Sequence, residues 1–86
     1  MYSIRFAKKS EKRLAKIDKS IRESIVEKLG DLCAGPKRVG RPLTGELQGL
    51  YRLRVGDYRV IYYIDEKSKT VVITDIGHRS KIYNEA

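Results

Sequence analysis

The segment GLYRLRVGDYRVIYYI, residues Gly49–Ile64, decides the fold. Two β-rich runs flank Gly56-Asp57, and such a pair between alternating apolar residues predicts a two-residue hairpin loop. With that loop, Val55 faces Tyr58, Arg54 faces Arg59, Leu53 faces Val60 and Arg52 faces Ile61. Side chains alternate with period two, so directly opposed residues share a sheet face. Leu53, Val55, Tyr58, Val60, Tyr62 and Ile64 then form an apolar face. Arg52, Arg54 and Arg59 lie on the other, with Ile61 and Tyr63. Like charges opposed across an antiparallel pair cost about 0.2–1 kcal/mol. Three arginines converging on one rigid hairpin are either a solvated charged face or an anion site.

Outward from the hairpin, the pattern predicts an α+β fold. Tyr2–Phe6 alternates and reads as a short N-terminal strand. Leu14, Ile17, Ile21, Ile25, Leu29 and Leu32 recur at helical spacing. The stripe is interrupted at Asp18-Lys19-Ser20, and SIRE (Ser20–Glu23) resembles a capping box. Two helices are expected, over about 8–17 and 20–33, forming a helical hairpin that ends at Gly35-Pro36. Residues 35–48 hold three glycines and both prolines and read as a loop, with a short extended piece near Arg41-Pro42-Leu43. Residues 65–69 read as a turn and 70–76 as a last strand broken by Gly77, with HRSKIYNEA as a tail. The result is a three-stranded antiparallel meander packed by its apolar face on two helices, with the arginine face open. Residues 1–86 read as a single domain.

The 86 residues carry 19 Lys plus Arg against 11 Asp plus Glu, a net charge of +8. With a pI near 9.8 the expected partners are polyanions. One cysteine, Cys33, leaves no internal disulfide and no cysteine-built metal site; it reads as a small buried hydrophobe. No run has the length of a signal peptide's apolar core or of a membrane span, so a cytoplasmic protein is expected.

His78 is the only histidine. It reads either as an acid/base group or as a surface residue at a strand end. One histidine and one distant cysteine cannot assemble a metal ligand set, so no metal and no cofactor are expected. Arg79 joins the arginine cluster if the tail folds back. Its planar fork binds two phosphate oxygens and keeps its charge at any working pH. Tyr83 reads as a stacking or hydrogen-bonding tail aromatic, or as an anchor onto the sheet. Tyr51, Tyr58 and Tyr62 belong to the core or its rim, and Tyr63 is the better stacking candidate. Lys8, Lys9, Lys12, Lys16 and Lys19 form a lysine-rich helical face, solvated or set against a large polyanion. Glu46 is the carboxylate nearest the hairpin, with nothing in the sequence to fix it in place.

LTGELQGLYRLRVGDYRVIYYI (Leu43–Ile64) and IGHRSKIY (Ile76–Tyr83) resemble the RelE/ParE superfamily of toxins from prokaryotic toxin–antitoxin pairs, in particular the RelE-type mRNA interferases. The likeness runs from the first strand to Tyr83. It implies a ribosome-dependent endoribonuclease that cuts mRNA in the decoding site without a metal, by attack of a ribose 2′-hydroxyl on its own 3′ phosphate. The family's basic residues fall on Arg52, Arg54, Arg59 and Arg79, and its C-terminal tyrosine on Tyr83. Arginines stand at 52 and 54 where lysines are usual. Arginine accepts protons poorly, so the resemblance moves general-base duty toward His78 or Tyr83. The implied partners are a RelB-like antitoxin, the small ribosomal subunit with its mRNA, and operator DNA reached through the antitoxin. A ParE-like toxin directed at gyrase and a non-catalytic nucleic-acid-binding module are the competing readings.

Overall fold

The computed structural model describes residues 1–85, with side chains through Ile82. In chain order the elements are β1 (Ser3–Phe6), α1 (Lys8–Ala15), α2 (Lys19–Ala34), α3 (Pro36–Val39), β2 (Arg41–Pro42), a 3-10 turn (Gly45–Leu47), β3 (Tyr51–Val55), β4 (Tyr58–Asp65), β5 (Thr70–His78) and α4 (Arg79–Glu85). The strands form one sheet in the order β1-β5-β4-β3-β2. The α+β class agrees with the sequence reading. The sheet is larger than the expected meander, because β1 joins β5 in parallel and β2 joins β3 antiparallel.

The β3–β4 hairpin has the register read from the sequence, Leu53 against Val60 and Arg54 against Arg59. Gly56 has φ 61, the positive value that a type II′ loop requires at its first central residue. Leu53, Val55, Val60 and Tyr62 are buried, and Ile25, Leu29 and Leu32 of α2 complete the core against them. α1 instead runs beside β5 beyond the end of β1, where the Ser10 hydroxyl donates to the Ile73 carbonyl at 2.8 Å.

A β-bulge sets the phase of β5. Ile61 pairs with Asp75 but Tyr62 pairs with Ile73, so Thr74 is the extra residue. Strict alternation would turn Asp75 toward the core with Ile73. The bulge keeps Ile73 and Ile76 inside and sends Asp75 to the opposite face. There Arg13 holds it at 3.0 Å and Lys9 at 3.4 Å.

Several local expectations are corrected. Asp18, not Ser20, is the N-cap of α2, and no side-chain cap bond forms; Ser20 lies inside the helix. Gly77 does not break the last strand. It pairs with Arg59, and the strand continues to His78. The tail is the helix α4. Residues 35–48 contain the short helix α3, which Pro36 starts without losing a needed donor. Cys33 is only half-buried. No helix among the described residues is long and apolar enough to cross a membrane.

Glu66 ties three segments together at the far end of the sheet. It accepts from the Tyr2 hydroxyl at 2.8 Å and pairs with Lys37 at 2.9 Å and Lys69 at 3.4 Å. The Lys37 ammonium, then the Tyr2 hydroxyl, hold its carboxyl down at about 2. A folded value below the unfolded one stabilises above the unfolded value and is lost on acidification. The loss is therefore expected as pH falls from 4.5 toward about 2. Glu66→Gln should flatten the thermal midpoint against pH in that window relative to the parent, and an unchanged profile would remove Glu66 from the acid response.

Candidate nucleic-acid interface

The face of the sheet turned away from α2 is built in rows set by strand register. Arg41, Arg52, Ile61 and Asp75 follow one another across β2, β3, β4 and β5. Arg54, Arg59 and Gly77 form the next row. Arg5 of β1, opposite Val72, lies on the same face with Tyr63. Arg52, Arg54 and Arg59 thus share one face, as their parity predicts. Arg41 was not legible as a member, because its place depends on a two-residue strand pairing with β3. The extended reading of residues 41–43 was the one available signal.

The face is not wholly open. α4 crosses it: Ile82 is buried, and a Cβ at Gly77 would meet the Ile82 side chain at 3.8 Å. Ile82 joins Leu43, Leu47, Leu50 and Ile61 around a cleft of about 250 Å³. The physical reason is that Ile61 and Val72 leave apolar surface on this face, and Ile82 is available to cover it. Arg41 and Arg54 stay exposed.

Arg59 is the exception to the solvated-arginine picture, at 5% exposure. Its Nη1 donates to the carbonyls of Gly56 and Tyr58, both at 2.9 Å. Its Nε has no partner among the described residues, and no carboxylate pairs with it there. A guanidinium stays charged when buried. Burying it beside neutral carbonyls alone is unfavourable, and an anion would relieve that.

Arg79 starts α4 at the hairpin turn. Its backbone N–H donates to Asp57 O at 2.8 Å, and its Nε lies 3.8 Å from the Asp57 carboxylate. This places a further cation beside the hairpin turn, paired with Asp57. His78 does not join the cluster. It pairs with Tyr58, which faces the helices, and the two rings meet edge to face at 5.5 Å. Its Nδ1 accepts the Ser80 N–H at 3.2 Å. The Tyr83 side chain lies outside the described residues. Glu46 is exposed on the 3-10 turn.

Fold and face together define a class: a small basic α+β protein with arginines gathered on one face of its sheet, one of them buried. Residues 4–83 match the family described as the ParE toxin of the type II toxin–antitoxin system parDE. The chain is 42% identical over 83 residues to toxin RelG of Mycobacterium tuberculosis, covering 95% of both proteins. It is 27% identical to the mRNA interferase toxin RelE of Escherichia coli, over 99% of this chain and 93% of that one. The RelBE2 toxin–antitoxin complex of M. tuberculosis contains a chain that superposes with a TM-score of 0.84 at 42% identity, covering 91% of this chain and 98% of that one. The chain belongs to the ParE toxin family of type II toxin–antitoxin systems, and within it is a toxin of the RelBE type.

Proposed function

We propose that this toxin is a ribosome-dependent endoribonuclease that cuts mRNA in the decoding site and so stops translation in the cytoplasm. The observation that carries the reading is Arg59, buried opposite Arg54 with no carboxylate partner among the described residues. The likeness to an mRNA interferase toxin of E. coli supports the same chemistry. In the reaction a ribose 2′-oxygen bonds to the adjacent phosphorus, and the bond from phosphorus to the 5′-oxygen breaks. A 2′,3′-cyclic phosphate and a 5′-hydroxyl end result. The nucleophile belongs to the substrate, and the arginines supply the positive charge, so the step needs no metal.

In this reading Arg59 and Arg79 hold the scissile phosphate and stabilise the extra charge of the pentacoordinate transition state. Arg52 and Arg54 hold the RNA backbone. Residues two apart on a strand are about 6.6 Å apart, a spacing that suits consecutive phosphates. Arg41 extends that track to the sheet edge. His78 sits on the opposite face, so Tyr83 is the better candidate to move the proton or stack the base. A RelB-like antitoxin would bind the toxin, hold it inactive and supply the operator-DNA contact; the similar RelBE2 chain of M. tuberculosis is found in a toxin–antitoxin complex.

The test is primer extension on a defined mRNA, with purified protein, with and without ribosomes whose decoding site is empty. Cuts at one codon only when ribosomes are present are expected. Cleavage of naked RNA would make the protein a free ribonuclease. Intact RNA in both, with folded and toxic protein, would favour a gyrase-directed toxin or plain binding.

A further inference from the structure

A cleft of about 540 Å³ lies at the end of the molecule where α1, the end of β5 and the start of α4 meet. Its floor is apolar, with Ile17, Ile76 and Tyr58. Among the described residues its rim carries Arg13, Lys16 and Lys81 and no carboxylate. Arg13 is bonded to Asp75, which fixes its position, while Lys16 and Lys81 are exposed. His78 closes one side, its Nδ1 hydrogen-bonded to Ser80. A neighbouring cleft shares the Tyr58–His78 wall, but its charged group is Asp57. Charge therefore assigns an anion to the first cleft and not to the second.

The volume falls within the range of about 300–1,000 Å³ usual for small-molecule sites. An apolar floor with an aromatic ring, under a cationic rim, suits a nucleotide: base below, phosphate above. Its place matters as much as its lining. Gly77 lies on the arginine face opposite Arg59, and the next residue, His78, lies on the other face beside the cleft. Arg79 follows directly. An RNA strand leaving Arg59 and Arg79 would reach this cleft by turning round the end of β5.

We propose that the cleft is a second nucleotide subsite, which takes a nucleotide flanking the one held on the arginine face. The proposal rests on the RNA reading above. Its test uses 2′-O-methyl RNA, which lacks the nucleophile and stays intact, as a trinucleotide and as an octanucleotide. The parent should bind the octanucleotide more tightly. Lys16→Glu with Lys81→Glu should lower octanucleotide affinity about tenfold or more and cut the ratio of the two affinities. The slope of log affinity against log salt should fall by about 1.4 for two lost single-strand phosphate contacts. The control is Lys8→Glu with Lys12→Glu, which makes the same charge change elsewhere on α1. It should weaken both lengths alike.

An equal loss in both double variants would overturn the subsite, since a general field would then explain it. A parent that binds the two lengths equally would overturn the subsite and leave the arginine face standing. A parent that binds neither would overturn both.

Discussion

Arg59→Ala is expected to lower the rate of mRNA cleavage on ribosomes by about 10²–10³, the scale on which a preorganised charge or donor acts in a transition state. The geometry makes this the largest single effect among the arginines. Arg59 alone is buried, so its charge is screened least by water. Its position is set by two carbonyls of the hairpin turn, so little reorganisation is needed when charge develops on the phosphate. Arg59→Lys should recover only part of the rate. It restores the charge but not the planar fork that reaches both the carbonyls and a phosphate. Single-turnover cleavage with saturating ribosomes reads the chemical step directly. The thermal midpoint, measured alongside, separates catalysis from folding. A folded Arg59→Ala protein that cuts at the parental rate would remove Arg59 from the mechanism. Arg79→Ala should also relieve toxicity, by less, because Arg79 is exposed and shares its charge with Asp57.

The hairpin was legible because two local signals agree. Gly56-Asp57 sets the loop, and the loop sets the register that puts Arg52, Arg54 and Arg59 on one face. Much of what the sequence does not show depends on contacts distant in sequence. β2 is two residues long, and only its pairing with Tyr51 and Arg52 makes it a strand, so Arg41 stayed outside the site. α4 is anchored on the sheet by Ile82, and one apolar residue cannot announce an amphipathic helix. The bulge at Thr74 decides where Asp75 points, yet TVVITDI reads as a plain strand. His78 is the strand-end residue that one of its two readings expects, and its face follows from parity. It lies two residues beyond Ile76, and strand parity puts both on the helix-packed face once the strand runs through Gly77. Gly77 is no stop, because glycine in a strand weakens it without ending it.

The support of the site is tested at Gly40, where Gly40→Ala is expected to destabilise the fold by about 3 kcal/mol. The backbone there is ordinary, with φ −93 and ψ 173, so strain from a positive φ plays no part. The cause is steric. A Cβ would overlap the Tyr62 hydroxyl and crowd its ring carbons at 2.8 and 3.0 Å. Tyr62 cannot step aside. It is fully buried, stacked on Tyr51 at 5.3 Å between centroids, and donates to the Pro36 carbonyl at 2.6 Å. Burial pushes its phenol up to about 12, so the proton of that bond stays in place at working pH. Tyr62→Phe alone should cost about 1 kcal/mol, the price of one buried hydrogen bond. Joined to Gly40→Ala it removes the worst overlap, so the two losses should sum to less than their separate values. A coupling of about 0.5–3 kcal/mol in a urea-denaturation cycle is the expected reading. Strict additivity would mean that the chain at Gly40 moves away from Tyr62 at little cost. Gly40 precedes β2, so the same shift would carry Arg41 away from Arg52, and the arginine track would lose its outer member while the fold survived.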